Sequence, residues 1–326
     1  MPNIPFGRPV VLLLMLSLAM VALPGARAAP PALGWQEAAG ESVALLSGER
    51  VVWRFNFAER QNKPYFHPLA VRGGPELTWD RPPDHVWHHG LWLSWKEING
   101  LNYWEIEPAT GKPAGRTQWS DVRIERRDDF SARLSLRLAY VNREQETVLR
   151  EERTLEVSPP DDEGGYAIDW LSKFTAEAER VKLDRTPLPG EPGGVGHGGY
   201  AGLSLRLVSL EEREATTPEG PVEFGEANRV RLKGSPAFDY SGTSAGSRAG
   251  IAVLVHPTSL NSPSPWYAIR TKEMTFFSPA VICFRPHEMA RGESFSLRYR
   301  VCVHAHAWSA ERLGTEYRRF ISAPGD

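Results

Sequence analysis

The chain has 326 residues, of which 41% are hydrophobic and 24% charged, and its formal net charge is −2. That is an ordinary globular composition. No basic stripe runs along it, which argues against a nucleic-acid partner.

The first segment reads as a leader. Arg8 supplies a positive start, Val10 to Val21 (VVLLLMLSLAMV) is apolar, Leu23-Pro24-Gly25 breaks the run, and Ala26-Arg27-Ala28 has the small-residue pattern of a cleavage site. Twelve apolar residues are too few to span a bilayer comfortably. The expectation is a signal peptide over 1–28, a single domain over 29–326, and a periplasmic or secreted protein. No later stretch approaches 18 uninterrupted apolar residues, so no membrane span is expected after cleavage.

Alternation with a period of two then recurs. Val51, Trp53, Phe55 and Phe57 share one parity, as do Leu134, Leu136, Leu138 and Tyr140. The same holds for Ile168, Trp170, Ser172 and Phe174, for Leu203, Leu205 and Leu207, and for Phe295, Leu297, Tyr299, Val301 and Val303. Residues two apart share a face of a strand, so these are half-buried antiparallel strands. Ile251 to Val255 (IAVLV) is apolar on both parities and predicts a central strand covered on both sides. Turns are expected at Asn99-Gly100, Asp161 to Gly165 and Ser241 to Gly250. One helix is expected near the end, capped by Ser309, with Leu313, Tyr317, Phe320 and Ile321 as its apolar stripe. The predicted fold class is all-β: a large antiparallel sandwich, of which the galactose-mutarotase-like supersandwich is one form, with a short C-terminal helix. A hairpin around Arg291-Gly292 would set Cys283 opposite Ser296 rather than Cys302, which favours two buried free thiols.

Two glycine motifs fail on context. Gly194-Val195-Gly196-His197-Gly198-Gly199 fits G-x-G-x-x-G, but a strand follows where a dinucleotide site needs a helix, so no nucleotide cofactor is expected. It reads as a glycine loop that is either mobile or approaches a ligand. Gly242-Thr243-Ser244-Ala245-Gly246 fits the nucleophile-elbow pattern but lies between strands.

The informative stretch runs from Lys63 to Glu105: KPYFHPL, then RPPDHVWHHGLWLSWKEINGLNYWE from Arg81. Four of the nine histidines and five of the eleven tryptophans fall between His67 and Trp104. Imidazoles need partners for both nitrogens, so packing alone explains such density poorly. Three readings stand. His85 or His89, with His67, His88 and the partner Asp84, would perform acid–base chemistry. Alternatively His85, His89 and His67 would ligate a divalent metal. In the third reading the histidines satisfy backbone groups in a corner of the sandwich. The aromatic content, Trp87, Trp92 and Trp266 above all, favours a sugar-like ligand, a small molecule or an oligosaccharide. Lys96, Glu97, Glu105, Tyr200, Asp239 and His256 complete the candidate ligand-binding set, the last two because strand ends are where sandwiches place ligands.

These strings, with GGYAGLSLR, FDYSG, GIAVLVHP, PWYAIR and GESFSLRYRVCVHA, resemble the PmoA-like "methane oxygenase" family of exported bacterial proteins. The resemblance covers nearly the whole chain after the leader, and DH-x-x-HHGLW is its most specific part. Its name implies a His-ligated metal oxygenase; its members resemble proteins found among sugar-oxidising and keto-sugar-processing enzymes. The leading expectation is a periplasmic carbohydrate-active enzyme, a hydrolase, lyase or epimerase working by His/carboxylate acid–base chemistry. A non-catalytic glycan-binding protein and the metal oxygenase are its alternatives.

Overall fold

A strand that buries one parity needs a second layer to bury it against, and the alternating segments supply two. The computed structural model describes Met1 and residues 31–323, so the apolar run and cleavage site expected of a leader lie outside the described residues. One sheet has nine strands in the spatial order Leu33–Ala38, Ser42–Ser47, Arg50–Asn56, Tyr65–Leu69, Leu91–Ser94, Gly202–Leu207, Thr275–Pro279, Trp266–Arg270 and Arg229–Leu232. The second runs Gly220–Pro221, Glu211–Thr217, Ala237–Ser244, Ser247–Val255, Ser294–Ala305, Tyr166–Ala176, Thr147–Val157, Ala132–Val141 and Arg116–Arg126. A small third sheet joins His287–Ala290, Arg180–Asp184, Glu97–Ile98 and Leu101–Asn102. Neighbours pair antiparallel throughout. The chain is an all-β sandwich with one C-terminal helix, Ala310–Ser322.

The main core lies between the two large sheets. It takes Phe66, Leu91, Leu93, Leu203, Leu205 and Phe277 from the first and Leu134, Leu136, Ile168, Trp170, Val253 and Val301 from the second. Phe238 stacks on both Trp266 and Phe277 across this interface, with ring centroids 5.2 and 5.5 Å away. Ile251–Val255 is central and covered on both sides, as its composition requires. Ile251 and Val253 face the main core, while Ala252 and Leu254 pack with Leu313 and Phe320 of the helix. Ser309 caps that helix by accepting from the Arg312 N–H at 3.2 Å.

Three local expectations are corrected. A register shift opposite Leu45 and Leu46 buries both Val52 and Trp53, so alternation in that strand slips by one residue. Ser241–Gly250 is not a turn but the two arms of a hairpin that reverses at Ala245-Gly246. The expected hairpin of 274–285 with 294–304 does not form: Thr275–Pro279 belongs to the first sheet and Ser294–Ala305 to the second, which removes the register argument for the cysteines. Cys283 and Cys302 are nonetheless buried and free, in separate clusters.

Inside the core Arg153 makes a two-pronged pair with Glu151 at 2.6 and 3.0 Å, both side chains fully buried. Tyr140 and Ser172 donate to the same carboxylate, and Trp170 lies 4.7 Å from the guanidinium. Removing one partner strands a buried charge. Glu151→Ala should therefore cost about 3–5 kcal/mol in urea unfolding. Replacing the pair together, Glu151→Leu with Arg153→Met, should recover most of that loss. A loss below 1 kcal/mol for the single variant would contradict this account.

Candidate functional site

The middle strands of the first sheet, Leu91–Ser94, Gly202–Leu207, Thr275–Pro279 and Trp266–Arg270, are buried on both faces, and the period of two sorts residues between them. Phe66, Leu91, Leu93, Leu203, Leu205, Trp266, Ala268 and Phe277 face the core. The opposite parity, Tyr65, Trp92, Tyr267, Ile269 and Phe276, forms a second apolar cluster with Trp104 and Cys283, joined by Trp87, Leu188, Tyr200 and Met274. Strand pairing aligns Arg206 with Phe276, Phe276 with Ile269, and Ile269 with Arg229. This row is an apolar floor with a guanidinium at each end.

Three segments surround the floor. Pro82 and Pro83 lead into two successive turns, in which His85 N–H donates to Pro82 O and His88 N–H to His85 O, both at 2.9 Å. Arg81 N–H closes the loop on His88 O at 2.8 Å. Gly90 then brings the chain against the sheet; a Cβ there would lie 2.5 Å from Phe66 O, so the HHGLW element needs glycine. The second segment follows the Asn99-Gly100 turn and carries Trp104 and Glu105; Asn102 Oδ1 fixes it by accepting from the N–H groups of both. The third is the glycine loop, which supplies His197 and Tyr200 and is tied down by Arg231 donating to Gly198 O and Gly196 O at 2.8 and 2.6 Å.

Between them lies a cavity of about 340 Å³. Its aromatic lining is Trp87, Trp104, Tyr200, Tyr267 and Phe276, and its polar lining is His85, His88, Glu105, His197 and Arg229. His85 Nδ1 faces Asp84 Oδ2 at 2.9 Å, and both oxygens of Asp84 accept from Arg206 Nη2 at 2.9 Å. Arg206 is fully buried and also donates to Glu273 O. Burial opposes ionisation of Asp84, but the hydrogen bonds from His85 and Arg206 outweigh it and hold the carboxyl below its ordinary range. The His85 side chain is 33% exposed. Beside it His88 stacks on His85 and Phe276, with centroids 4.5 and 5.4 Å away, and lies 5.1 Å from Trp92. Burial pushes His88 far toward its neutral form.

Glu105 accepts from Lys96, from Asn102 and from the Tyr200 hydroxyl at 2.9 Å. Burial would raise its pKa, but the Lys96 charge and these hydrogen bonds bring it below the ordinary value. Beneath the cavity His89 is 1% exposed, its ring stacked on Tyr65 at 4.1 Å and its Nδ1 2.6 Å from Asp80. Burial pulls His89 down to about 4 despite Asp80. Lys63 is buried too, donates to Trp104 O at 3.2 Å, and is pushed down to about 7 by desolvation.

Of the residues the sequence singles out, His85, Trp87, His88, Glu105 and Tyr200 line this cavity. Asp84, Lys96, His89 and Trp92 support it from behind, Trp92 being fully buried. His67 bonds Thr78 Oγ1 at 3.0 Å, and Glu97 sits in the small third sheet; neither lines the cavity. Three assignments are corrected. Trp266 is on the core parity and donates to Ser235 O at 2.8 Å; its neighbour Tyr267 is the cavity residue. Asp239 belongs to the second sheet, bonded to Ser241 and to His304, whose ring stacks on Trp308. His256 packs on Phe320 of the helix. The metal reading is corrected as well: His85, His89 and His67 do not converge. No group of three or more His, Cys, Asp or Glu side chains suited to a metal exists among the described residues.

Sequence reading missed Asp80, Arg206, His197, Arg229 and Tyr267. His197 carried a partial signal, since a ligand-approaching loop was one of the two readings of its glycine run. Arg206 carried one in hindsight of parity: it lies between Leu205 and Leu207, on the face opposite theirs.

The His89 burial has a measurable consequence. Between about pH 4 and its ordinary pKa the unfolded chain binds a proton that the folded chain does not, so stability rises with pH across that window and falls on acidification. The contribution is roughly 3 kcal/mol. His89→Gln should flatten the curve of unfolding free energy from pH 4 to 6.5 relative to the native protein; an unchanged slope would contradict this.

Comparison with known proteins gives a family and distant structural likenesses, of which two are described. A candidate aldose 1-epimerase from Klebsiella pneumoniae subsp. pneumoniae MGH 78578 is similar in structure at a TM-score of 0.43 and 10% identity, over 87% of this chain and 84% of that one. The Slr1438 protein from Synechocystis sp. PCC 6803 is similar at 0.38 and 13%, over 87% of this chain and 100% of that one. No curated protein matches. The PmoA-like resemblance is overturned, because the family that matches is another one. Residues 42–318 match the "Family of unknown function (DUF6807)", and the chain belongs to that family.

Proposed function

We propose that this protein is a carbohydrate-active enzyme of the periplasm or cell exterior that transfers protons on a monosaccharide-sized sugar or keto-sugar, with His85 as the acid–base group. The observation that carries the reading is the Arg206–Asp84–His85 chain ending at an aromatic-lined cavity. A carboxylate only accepts, so Asp84 fixes a proton on His85 Nδ1 and leaves Nε2 to take or give one. Arg206 keeps Asp84 ionised and immobile. The faces of Trp87, Trp104, Tyr267 and Phe276 suit sugar C–H surfaces. Glu105 and Tyr200 offer an ionised acceptor and a hydroxyl for the sugar's own hydroxyls.

A second reading, a non-catalytic glycan-binding protein, is favoured by one feature. Both Glu105 oxygens already accept from neighbours, which suits orienting a ligand better than removing a proton.

A panel of aldoses, keto-sugars and glycosides followed by proton NMR tests the choice, with readouts of bond cleavage, interconversion and solvent deuterium uptake. Turnover of one panel member is expected, falling about 100-fold or more in His85→Ala. The melting temperature should hardly move, because His85 is partly exposed. Binding without turnover would select the second reading; a large loss of stability in His85→Ala with turnover intact would contradict both. Export is tested separately. Protein recovered outside the cytoplasm should begin at Ala29, and an intact Met1 would overturn that part.

A further inference from the structure

The charge balance of the cavity is one-sided. Among the described residues Glu105 is the only acidic one in its lining, and Lys96 already neutralises it. Asp84, just outside the lining, is engaged by Arg206 and His85. Arg206 and Arg229 stand at opposite ends of the Phe276–Ile269 row. Their circumstances differ. Both leave buried guanidinium nitrogens without a hydrogen-bond partner, Nε and Nη1 of Arg206 and Nε of Arg229, but Arg206 has Asp84, whereas among the described residues Arg229 forms no ion pair. Arg229 lines the cavity, and its charge already bears on His197 and Tyr267 across it. A half-buried guanidinium that lacks a carboxylate is costly unless something supplies one. The chain as a whole has a slight acidic excess, so this local surplus is not background.

We infer that the sugar bound in this cavity carries a carboxylate, as in a hexuronate or an aldonate, and that Arg229 is the residue that receives it. This rests on the reading of the cavity as a sugar site and adds the substrate class. A planar carboxylate matches the fork of one guanidinium, with Nε among its donors. A phosphate dianion would call for more positive charge than one unpaired Arg provides. The cavity volume lies at the lower end of the roughly 300–1,000 Å³ of small-molecule sites, which suits a single acidic sugar ring on the aromatic floor.

Calorimetric titration of the full protein decides it, with three matched sets as probes: glucose, galactose and mannose; their uronates; and their 6-phosphates. The uronate of at least one set should bind about tenfold or more tighter than its neutral hexose, the worth of one charge-assisted pair. Arg229→Gln should collapse that ratio toward one, and Arg229→Lys should restore it only in part. Circular dichroism and melting temperature must show each variant folded. Equal binding of hexose and uronate, or a preference that survives in folded Arg229→Gln, would overturn the inference and leave the sugar site standing. Preference for the 6-phosphates would overturn the carboxylate assignment. No binding by any of the nine probes would overturn the sugar reading and this inference together.

Discussion

The site depends on one constraint: the middle strands of the first sheet are covered on both faces. A sheet with one wet face can leave its outward polar residues to water, but here the outward parity lies under three loop segments. Every polar group on that parity must find a partner or stay destabilised. Arg206 meets the constraint through one nitrogen only, its Nε and Nη1 being buried without a partner. Its side chain is entirely buried, and it holds Asp84 and Glu273 O with a single nitrogen. Trp79 lies against it, 5.4 Å from the guanidinium. The position of the His85 imidazole follows from that anchorage, since Asp84 cannot leave Arg206 without stranding its charge.

The same constraint sorts the histidines of the DH-x-x-HHGLW element into different roles. His89 turns under the loop, pairs with Asp80 and stacks on Tyr65, which makes it a support. His88 is packed among aromatic rings and kept neutral by burial. His85 alone of the three is both partly exposed and backed by a carboxylate locked by a buried Arg. Adjacent positions in one loop thus carry different chemistry because the two turns at Pro82–His88 aim them differently.

The fold was legible in the sequence wherever one parity is apolar and the other is wet. The strands around Leu134–Tyr140 and Ile168–Phe174 and the capped C-terminal helix are of this kind. The reading slipped where a bulge shifted the register at Val52 and where a covered sheet hid its second face. That hidden face is why Trp266 attracted attention and Tyr267 did not: adjacent residues on a strand point to opposite layers, and the sequence does not say which layer holds the site. The Lys63–Glu105 stretch stands out by its His and Trp density, and His85, Trp87, His88, Trp104 and Glu105 from it line the cavity, while His89, Trp92 and Trp95 are packed and buried. Asp239 and His256 were misplaced because strand ends alone do not tell which sheet they close. Arg206 and Arg229 could not be found from spacing, since their relation exists only through strand pairing across Phe276 and Ile269.

The central claim is that ligands enter the cavity at His85 and not the Asp239–His304 cluster of the second sheet. Imidazole NMR of the nine histidines during titration with the hexose and hexuronate panel tests it most directly. The account predicts that the His85, His88 and His197 ring signals shift with ligand while those of His256, His304 and His306 stay fixed. Shifts confined to His256 and His304, or an unmoved His85 under saturating ligand, would contradict it.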